Sequence, residues 1–213
     1  SPKAAKFKIE KQVFIQDKPR VMLQEKKTDQ AHLVLGVRGN PRGSVDRWVE
    51  EVLATILGAG MSSRLWISVR ERRGLAYYVR ADVEHYMDNG YFAVSAGVDI
   101  GKIGRAITVI LGELAQIRKK APLSKELFKA KEFMKGHLSL GLEDTRAVAG
   151  FFGSFELTEG KIMTPEETER EIDKVSAQDV QRVAKEFFVE ERLNLAIIGP
   201  YSDSERFKKI LRI

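Results

Sequence analysis

Short runs of Val, Leu, Ile, Tyr and Phe, bounded by polar residues, glycine or proline, recur along the chain. Runs of this length and composition are typical of β-strands. They predict strands over residues 20–26, 31–38, 76–86, 90–98 and 193–198. The third and fourth runs are joined by Met87-Asp88-Asn89, which indicates a hairpin. The last run, Leu-Asn-Leu-Ala-Ile-Ile, is apolar enough for a central strand.

Elsewhere, apolar residues recur three and four positions apart, the spacing of the buried face of a helix. The clearest example opens at Ser44, with Asp46 in its first turn, and carries Val45, Trp48, Val49, Val52, Leu53, Ile56 and Leu57 on one face. A second helix is predicted from Ser62 or Ser63, as capping residues, to Arg73, with Gly74 as the residue that ends it. Further helices are predicted over residues 102–118, 124–142 and 144–158.

Helix starts in the last quarter of the chain are marked by a hydroxyl followed three residues later by a carboxylate. This capping-box pattern lets the two side chains satisfy backbone amides reciprocally. It occurs at Thr164–Glu167, Ser176–Asp179 and Ser202–Glu205. Each box predicts a helix, and the second of these helices is expected to end near Phe188.

The order of the predicted elements indicates the fold class. Strands occur both in a hairpin and singly, and most helices follow in a block rather than alternating with strands. This predicts an α+β fold with a largely antiparallel β-sheet packed against several helices. No linker, repeat or low-complexity tract divides the sequence. We therefore predict a single domain over residues 1–213, with residues 1–19 as an N-terminal extension and a core of about 20–213.

Composition narrows the possible partners. The chain has 213 residues and a net charge of +6, but its 36 basic residues are mixed with 30 acidic ones. No basic stripe carries interleaved aromatic residues, so nucleic acid is not an expected partner. An acidic partner surface or a peptide substrate would use the same charge. No apolar run approaches the ~20 residues of a membrane span, and no targeting segment is apparent, so the compartment stays unknown.

Metal and phosphate sites find little support in local motifs. The chain has no cysteine, which excludes disulfides and thiolate zinc sites within it. The three histidines, His32, His85 and His137, stand singly, and none belongs to a zinc motif. We expect His137, on an apolar helix face, to be a partly buried core residue. The glycines of GAGMSSR (58–64) follow a helix and lack the lysine of a phosphate loop, so a flexible or closely packed turn is expected.

The stretch VRERRGLAYYV (69–79) places Arg70 and Tyr77 seven residues apart, on either side of Gly74. Arg70 falls on the last turn of the predicted helix, and Tyr77 near the start of a strand. A left-handed conformation at Gly74 would let both side chains reach one cleft. Both are hydrogen-bond donors at neutral pH and would suit a carbonyl oxygen that becomes an oxyanion. On these residues alone, a solvated charged face remains an alternative.

Residues 57–82, LGAGMSSRLWISVRERRGLAYYVRAD, resemble the C-terminal half-domain of the M16 zinc peptidases, the pitrilysin and mitochondrial-processing-peptidase family. The likeness extends more thinly over about residues 20–200. Ala59 and Trp66 replace a common glycine and phenylalanine. The resemblance implies the LuxS/MPP-like metallohydrolase fold. It also implies that Arg70 and Tyr77 bind substrate near the scissile carbonyl, with Gly58, Gly60, Ser62, Ser63 and Gly74 in the supporting loop.

The same resemblance implies that two such halves enclose a chamber and that zinc-bound water attacks the peptide bond. The zinc-binding His-x-x-Glu-His motif is absent from all 213 residues. The helix 44–57 is a plausible counterpart of the family's zinc helix, but it has no histidine. Zinc is therefore expected on another half, either on the same polypeptide or on a partner subunit. The expected partners are that half and an unstructured peptide substrate, with a dimer possible.

Two functions follow from the resemblance. The first is the substrate-binding half of an M16-type zinc metalloendopeptidase. The alternative is a non-catalytic scaffold subunit of the same fold, and retention of both Arg70 and Tyr77 favours the first.

Overall fold

The computed structural model describes residues 15–213, so most of the predicted N-terminal extension lies outside the described residues. Within them, one five-stranded sheet has the order β1-β5-β2-β4-β3. The strands are β1 (Arg20–Glu25), β2 (Gln30–Gly39), β3 (Ala76–His85), β4 (Gly90–Asp99) and β5 (Asn194–Gly199). Only the β1–β5 pair is parallel. The predicted α+β class, the largely antiparallel sheet, the β3–β4 hairpin and the central position of the last strand are confirmed.

The helices are α1 (Arg47–Gly58), α2 (Ile103–Lys119), α3 (Ser124–Gly141), α4 (Thr145–Glu159), α5 (Pro165–Lys174), α6 (Ala177–Phe187) and α7 (Glu205–Ile210), with a π-helix at Trp66–Glu71 and a 3₁₀ turn at Glu190–Arg192. None of the helices in residues 15–213 combines the length and apolarity needed to cross a membrane.

Two of the three predicted capping boxes form. The Thr164 and Ser176 hydroxyls accept from the amides of Glu167 and Asp179, and the carboxylates of Glu167 and Asp179 accept in turn from the amides of Thr164 and Ser176. The third box does not form, although the helix that it predicted does. At the start of α7, the amide of Glu205 donates to the Asp203 carboxylate instead, and Ser204 is the N-terminal capping residue without a side-chain bond. An aspartate two residues upstream reaches the amide in a local turn, which removes the need for the Ser202 hydroxyl.

The start of α1 also differs from its prediction. The helix begins at Arg47 rather than at Ser44, and Asp46 is its capping residue. Val45, predicted on the buried face, is 94% exposed. Ser44 takes part in a turn, where its hydroxyl accepts from the Asp46 amide. This local alternative to helical hydrogen bonding explains why apolar spacing overextended the helix.

The helices cover one face of the sheet, and the main core lies between the two layers. Strand residues facing the helices, such as Leu33, Leu35 and Val94, are almost fully buried, whereas their sequence neighbours point to the opposite, open face. On the helix side, α1 contributes Val52, Leu53 and Leu57. Burial of such side chains is the main favourable term in folding.

Helix α1 approaches β3 very closely at Gly58. A β-carbon at this position would lie 1.9 Å from the backbone nitrogen of Ala81 and 2.5 Å from its β-carbon. Because both obstacles belong to a residue in the middle of β3, a side chain could be accepted only if the helix moved away. Glycine at position 58 therefore sets the distance between α1 and the sheet.

We expect Gly58→Ala to lower the free energy of unfolding by about 1–3 kcal/mol, the usual cost of overpacking a core. Chemical denaturation would measure the loss. Gly136→Ala in α3 is the matched control, since nothing lies within 4 Å of a β-carbon there; it should be neutral or stabilising by up to about 1 kcal/mol. Equal stability of the Gly58 variant and the wild type would contradict the close approach.

Candidate functional site

The segment between α1 and the π-helix is a tight loop fastened by α3. Gly60 adopts a φ of +75°, and a β-carbon at this position would lie 3.1 Å from the ring of Phe133. Arg64 makes two hydrogen bonds, of 2.6 and 2.7 Å, to the Glu126 carboxylate, and these raise the pKa of the guanidinium. Lys129 donates to the Ser62 carbonyl at 2.8 Å. The sequence analysis expected either a flexible or a closely packed turn at residues 58–64, and the structure shows the closely packed one.

Ser62 and Ser63 do not cap the next helix, contrary to the sequence prediction. The Ser63 hydroxyl donates to the Gly60 carbonyl, and Ser62 is exposed. Both serines belong to the turn that precedes the helix. The Ser63 bond stabilises the loop itself, which is a common role for a serine in a turn.

The predicted helix over residues 62–73 is largely a π-helix. Its hydrogen bonds reach five residues back, as in Arg72 N–H to the Ile67 carbonyl at 2.9 Å. The wider turn is rare and often marks functional sites. It places Trp66 beneath Arg70, whose guanidinium carbon lies 4.0 Å from the centre of an indole ring. This stacking was not predicted, although the four-residue spacing of the two side chains could have indicated it.

Gly74 ends the π-helix and turns the chain into β3. Its φ is +55°, as the sequence predicted, and its amide donates to the Arg70 carbonyl at 2.9 Å. The next amide, that of Leu75, donates to the Val69 carbonyl at 3.0 Å. These two bonds fix the end of the helix directly against the start of the strand.

Tyr77 lies in a β-bulge at the start of β3. Ala76 pairs with Val98 and Tyr78 with Gly97, so Tyr77 has no partner on β4. A bulge disturbs the alternation of side chains, and both Tyr77 and Tyr78 are exposed. The ring of Tyr78 covers Gly97, and its hydroxyl lies 3.2 Å from Nδ1 of His32.

Arg70 and Tyr77 thus lie on adjoining elements, and both are open to solvent; Tyr77 is 55% exposed. Among residues 15–213, no side-chain hydrogen bond or ion pair involves the Arg70 guanidinium or the Tyr77 hydroxyl. Both donors are therefore available to a bound molecule. The indole of Trp66 restricts the guanidinium without using its N–H groups.

A second polar cluster, missed by the sequence analysis, lies between helix α1 and strand β3. His85 at the end of β3 places Nε2 at 3.1 Å from the Glu50 carboxylate and Nδ1 at 3.6 Å from that of Glu51. Glu50 is fully buried and also accepts from the Asn40 side chain at 2.7 Å. Burial lowers the pKa of His85, but the hydrogen bonds and negative charges of Glu50 and Glu51 outweigh it and raise the pKa to about 9. A charged imidazole therefore ties α1 to β3.

The three histidines do not fit a zinc site in this chain. His85 faces two carboxylates, His32 faces Tyr78, and His137 lies 3.1 Å from the Phe133 carbonyl of its own helix. Among the described residues, no group of three or more potential ligands is arranged to hold a metal ion. The expectation that His137 is partly buried was wrong: it is exposed beside the ring of Phe133.

Comparison with known families identifies the chain. Residues 1–133 match the family model described as the Peptidase M16 inactive domain. The chain belongs to this family. The M16 inactive domain is the C-terminal half-domain that the motif in residues 57–82 had indicated, and this prediction is confirmed.

Curated relatives of this M16 inactive domain are described as uncharacterized zinc proteases. One from Streptomyces coelicolor is 37% identical over 87% of the chain and 40% of its own length. Another, from Mycobacterium leprae, is 34% identical over 92% of the chain and 44% of its length. YmxG of Bacillus subtilis is 36% identical over 90% of the chain and 46% of its length. The chain therefore spans less than half the length of these relatives.

Solved structures share the fold. A protease from Helicobacter pylori matches with a TM-score of 0.80 at 23% identity, over 87% of this chain and 45% of the other. A peptidase M16 inactive domain from Pseudomonas fluorescens matches with a TM-score of 0.79 at 21% identity, over 88% and 45%. A chain in the structure of Complex III2 from Candida albicans, with Inz-5 bound, matches with a TM-score of 0.77 at 18% identity, over 92% and 50%.

The His85 cluster makes stability depend on pH. Because the pKa of His85 rises from 6.5 to about 9 on folding, its stabilising contribution is complete below pH 6.5 and is lost as the pH rises through 9. We expect the free energy of unfolding to fall over this range, as measured by denaturation at a series of pH values. His85→Gln should flatten the fall, while His137→Gln should leave it unchanged. If the His85 variant and the wild type showed the same pH dependence, His85 would not be the group that causes it.

Proposed function

We propose that this M16 inactive domain is the substrate-binding half of a zinc metalloendopeptidase. The observation that carries the proposal is the exposure of two unused donors, on Arg70 and Tyr77, on adjoining elements within the segment that resembles the family motif. Zinc would be held by a half outside this chain, either on the same polypeptide or on a partner subunit. The names and lengths of the curated relatives support that arrangement.

In this role, the guanidinium of Arg70 and the hydroxyl of Tyr77 donate hydrogen bonds to the carbonyl oxygen of the peptide bond that is cleaved. Negative charge develops on this oxygen as the bond is attacked, so the donors bind the transition state more tightly than the substrate. Trp66 and the Gly74 turn act by positioning. They hold the donors before substrate arrives, which lowers the cost of ordering them.

The alternative is a non-catalytic scaffold of the same fold. The fold alone does not distinguish the substrate-binding half from the scaffold, because unrelated functions often share one architecture. The unpaired state of Arg70 and Tyr77 favours substrate binding, since a scaffold would have no use for two exposed donors fixed by a π-helix and a bulge.

The two donors can be tested in the complete enzyme, with this chain and the zinc-carrying half together. We expect Arg70→Ala and Tyr77→Phe each to lower kcat/KM for an unstructured peptide by about 10²–10³-fold, the usual effect of losing one oxyanion donor. Arg72→Ala, two residues after Arg70, and Tyr86→Phe, just beyond the far end of β3, are matched controls at exposed positions and should retain activity. Unchanged kcat/KM in both test variants would show that the assigned roles are wrong.

The chain should be inactive by itself. We expect no peptide cleavage and no tight zinc binding by the isolated domain, with cleavage appearing when the zinc-carrying half is added. Peptide hydrolysis and isothermal titration with zinc would measure both properties. Tight one-to-one zinc binding by the isolated domain would contradict the proposal that the metal belongs to the other half.

A further inference from the structure

Tyr77 is exposed because strand β3 begins with a bulge. Val79 and Ala81 point toward the helices and are buried, so regular alternation along the strand would turn Tyr77 inward as well. Instead, Ala76 takes the buried position opposite Val98, and Tyr77 is left without a partner on β4 and 55% exposed. The bulge therefore decides whether the Tyr77 hydroxyl faces solvent or the core.

The residue that follows the bulge is held from the other face of the sheet. Tyr78 pairs with Gly97 on β4, and its ring covers that glycine. A β-carbon at position 97 would lie 2.5 Å from Cε1 of the ring, so glycine is what leaves room for it. Gly97 also pairs with His32 on β2, and the Tyr78 hydroxyl forms a hydrogen bond of 3.2 Å with Nδ1 of His32. The side chain of Tyr78 thus crosses β4 and links β3 to the strand beyond it.

These three residues, Tyr78, Gly97 and His32, form what we call the Tyr78 clamp, and they lie where the bulge needs support. In the described sheet, β3 is an edge strand that pairs with β4 alone, and a bulge leaves one of its residues outside the ladder of hydrogen bonds. A glycine in the neighbouring strand offers no side chain for packing, a weakness that an aromatic ring placed over it offsets. Fixing Tyr78 in this way restricts the residue bonded to it, which is Tyr77.

We propose that Tyr78 and His32 are positioning residues for the reaction. The Tyr78 clamp holds the bulge and so directs the Tyr77 hydroxyl at the carbonyl of the peptide bond that is cleaved. This inference rests on the proposed function. The clamp keeps Tyr77 in place before substrate arrives, which lowers the cost of ordering it in the transition state. Loss of the clamp should therefore lower kcat and leave KM nearly unchanged.

The test uses the complete enzyme, with this chain and the zinc-carrying half together, and an unstructured peptide. Tyr78→Phe keeps the ring over Gly97 but removes its hydrogen bond, so we expect kcat to fall about 3–10-fold, the effect of one ordinary hydrogen bond. Gly97→Ala displaces the ring itself, and we expect a fall of about 10-fold or more. Tyr91→Phe is the matched control, at another partly exposed tyrosine on β4, and should retain the wild-type kcat.

A second set of variants distinguishes positioning of Tyr77 from a general loss of stability. With Tyr77→Phe already in place there is no hydroxyl left to direct, so adding Tyr78→Phe should lower kcat no further. A purely structural defect would lower kcat by the same factor with or without the Tyr77 hydroxyl. His32→Ala should match Tyr78→Phe, and the two together should be no worse than either alone, since each removes the same hydrogen bond.

The bulge can also be followed without measuring activity. Amide hydrogen exchange around residues 76–78, read by mass spectrometry, should be faster in Tyr78→Phe and Gly97→Ala than in the wild type, because a less constrained bulge opens more often. The Tyr91→Phe control should exchange like the wild type. Tyr78→Phe removes a single oxygen atom and keeps the test valid should Gly97→Ala fail to fold.

The outcomes separate this inference from the proposed function. If Tyr77→Phe lowers kcat/KM while Tyr78→Phe and His32→Ala leave kcat and amide exchange unchanged, the Tyr78 clamp has no positioning role and the proposed function stands. An equal further loss of kcat on adding Tyr78→Phe to Tyr77→Phe would show that the clamp only stabilises the fold, and would also overturn the inference. If Tyr77→Phe itself has no effect, the proposed role of Tyr77 is wrong and the inference fails with it.

Discussion

The close approach of α1 to β3 at Gly58 is the constraint on which the candidate site depends. Contact of a helix backbone with a sheet residue at this distance leaves no room for adjustment, since protein interiors are close-packed. The loop that follows must then reverse at once, which it does with Gly60 in a left-handed conformation. The Arg64–Glu126 pair and the Lys129 contact fasten this loop to α3. The π-helix that carries Arg70 starts from a position that is already determined.

Two backbone irregularities lie on either side of Gly74 and orient the proposed donors. The π-helix makes a wider turn before the glycine, and the β-bulge adds an unpaired residue after it. Each departs from the regular hydrogen-bond pattern, which costs stability and is kept mainly where function requires it. Here each exposes one donor, the guanidinium of Arg70 or the hydroxyl of Tyr77. The buried His85–Glu50 pair joins the start of α1 to the far end of β3, so it stabilises the strand that carries the bulge.

The two faces of the sheet have different surroundings. The helices bury one face in the main core, whereas the other has small residues at its centre and larger apolar residues around them. This free face also carries polar and charged side chains, such as Gln24, Arg80 and Glu84, as is usual for the solvated face of an antiparallel sheet.

The sequence by itself determined the elements that depend on local patterns. The periods of two and 3.6 residues marked the strands and most helices, and the Thr164 and Ser176 boxes marked helix starts. The αL turn at Gly74 and the membership of the M16 inactive-domain family could also be read from neighbouring residues. Only the tertiary structure decided the features that join distant residues: the Gly58–Ala81 contact, the Glu50–His85 pair and the stacking of Tyr78 over Gly97. The π-helix and the β-bulge were also decided by the tertiary structure. Packing against the sheet selects them over the regular helix and strand that local propensity favours.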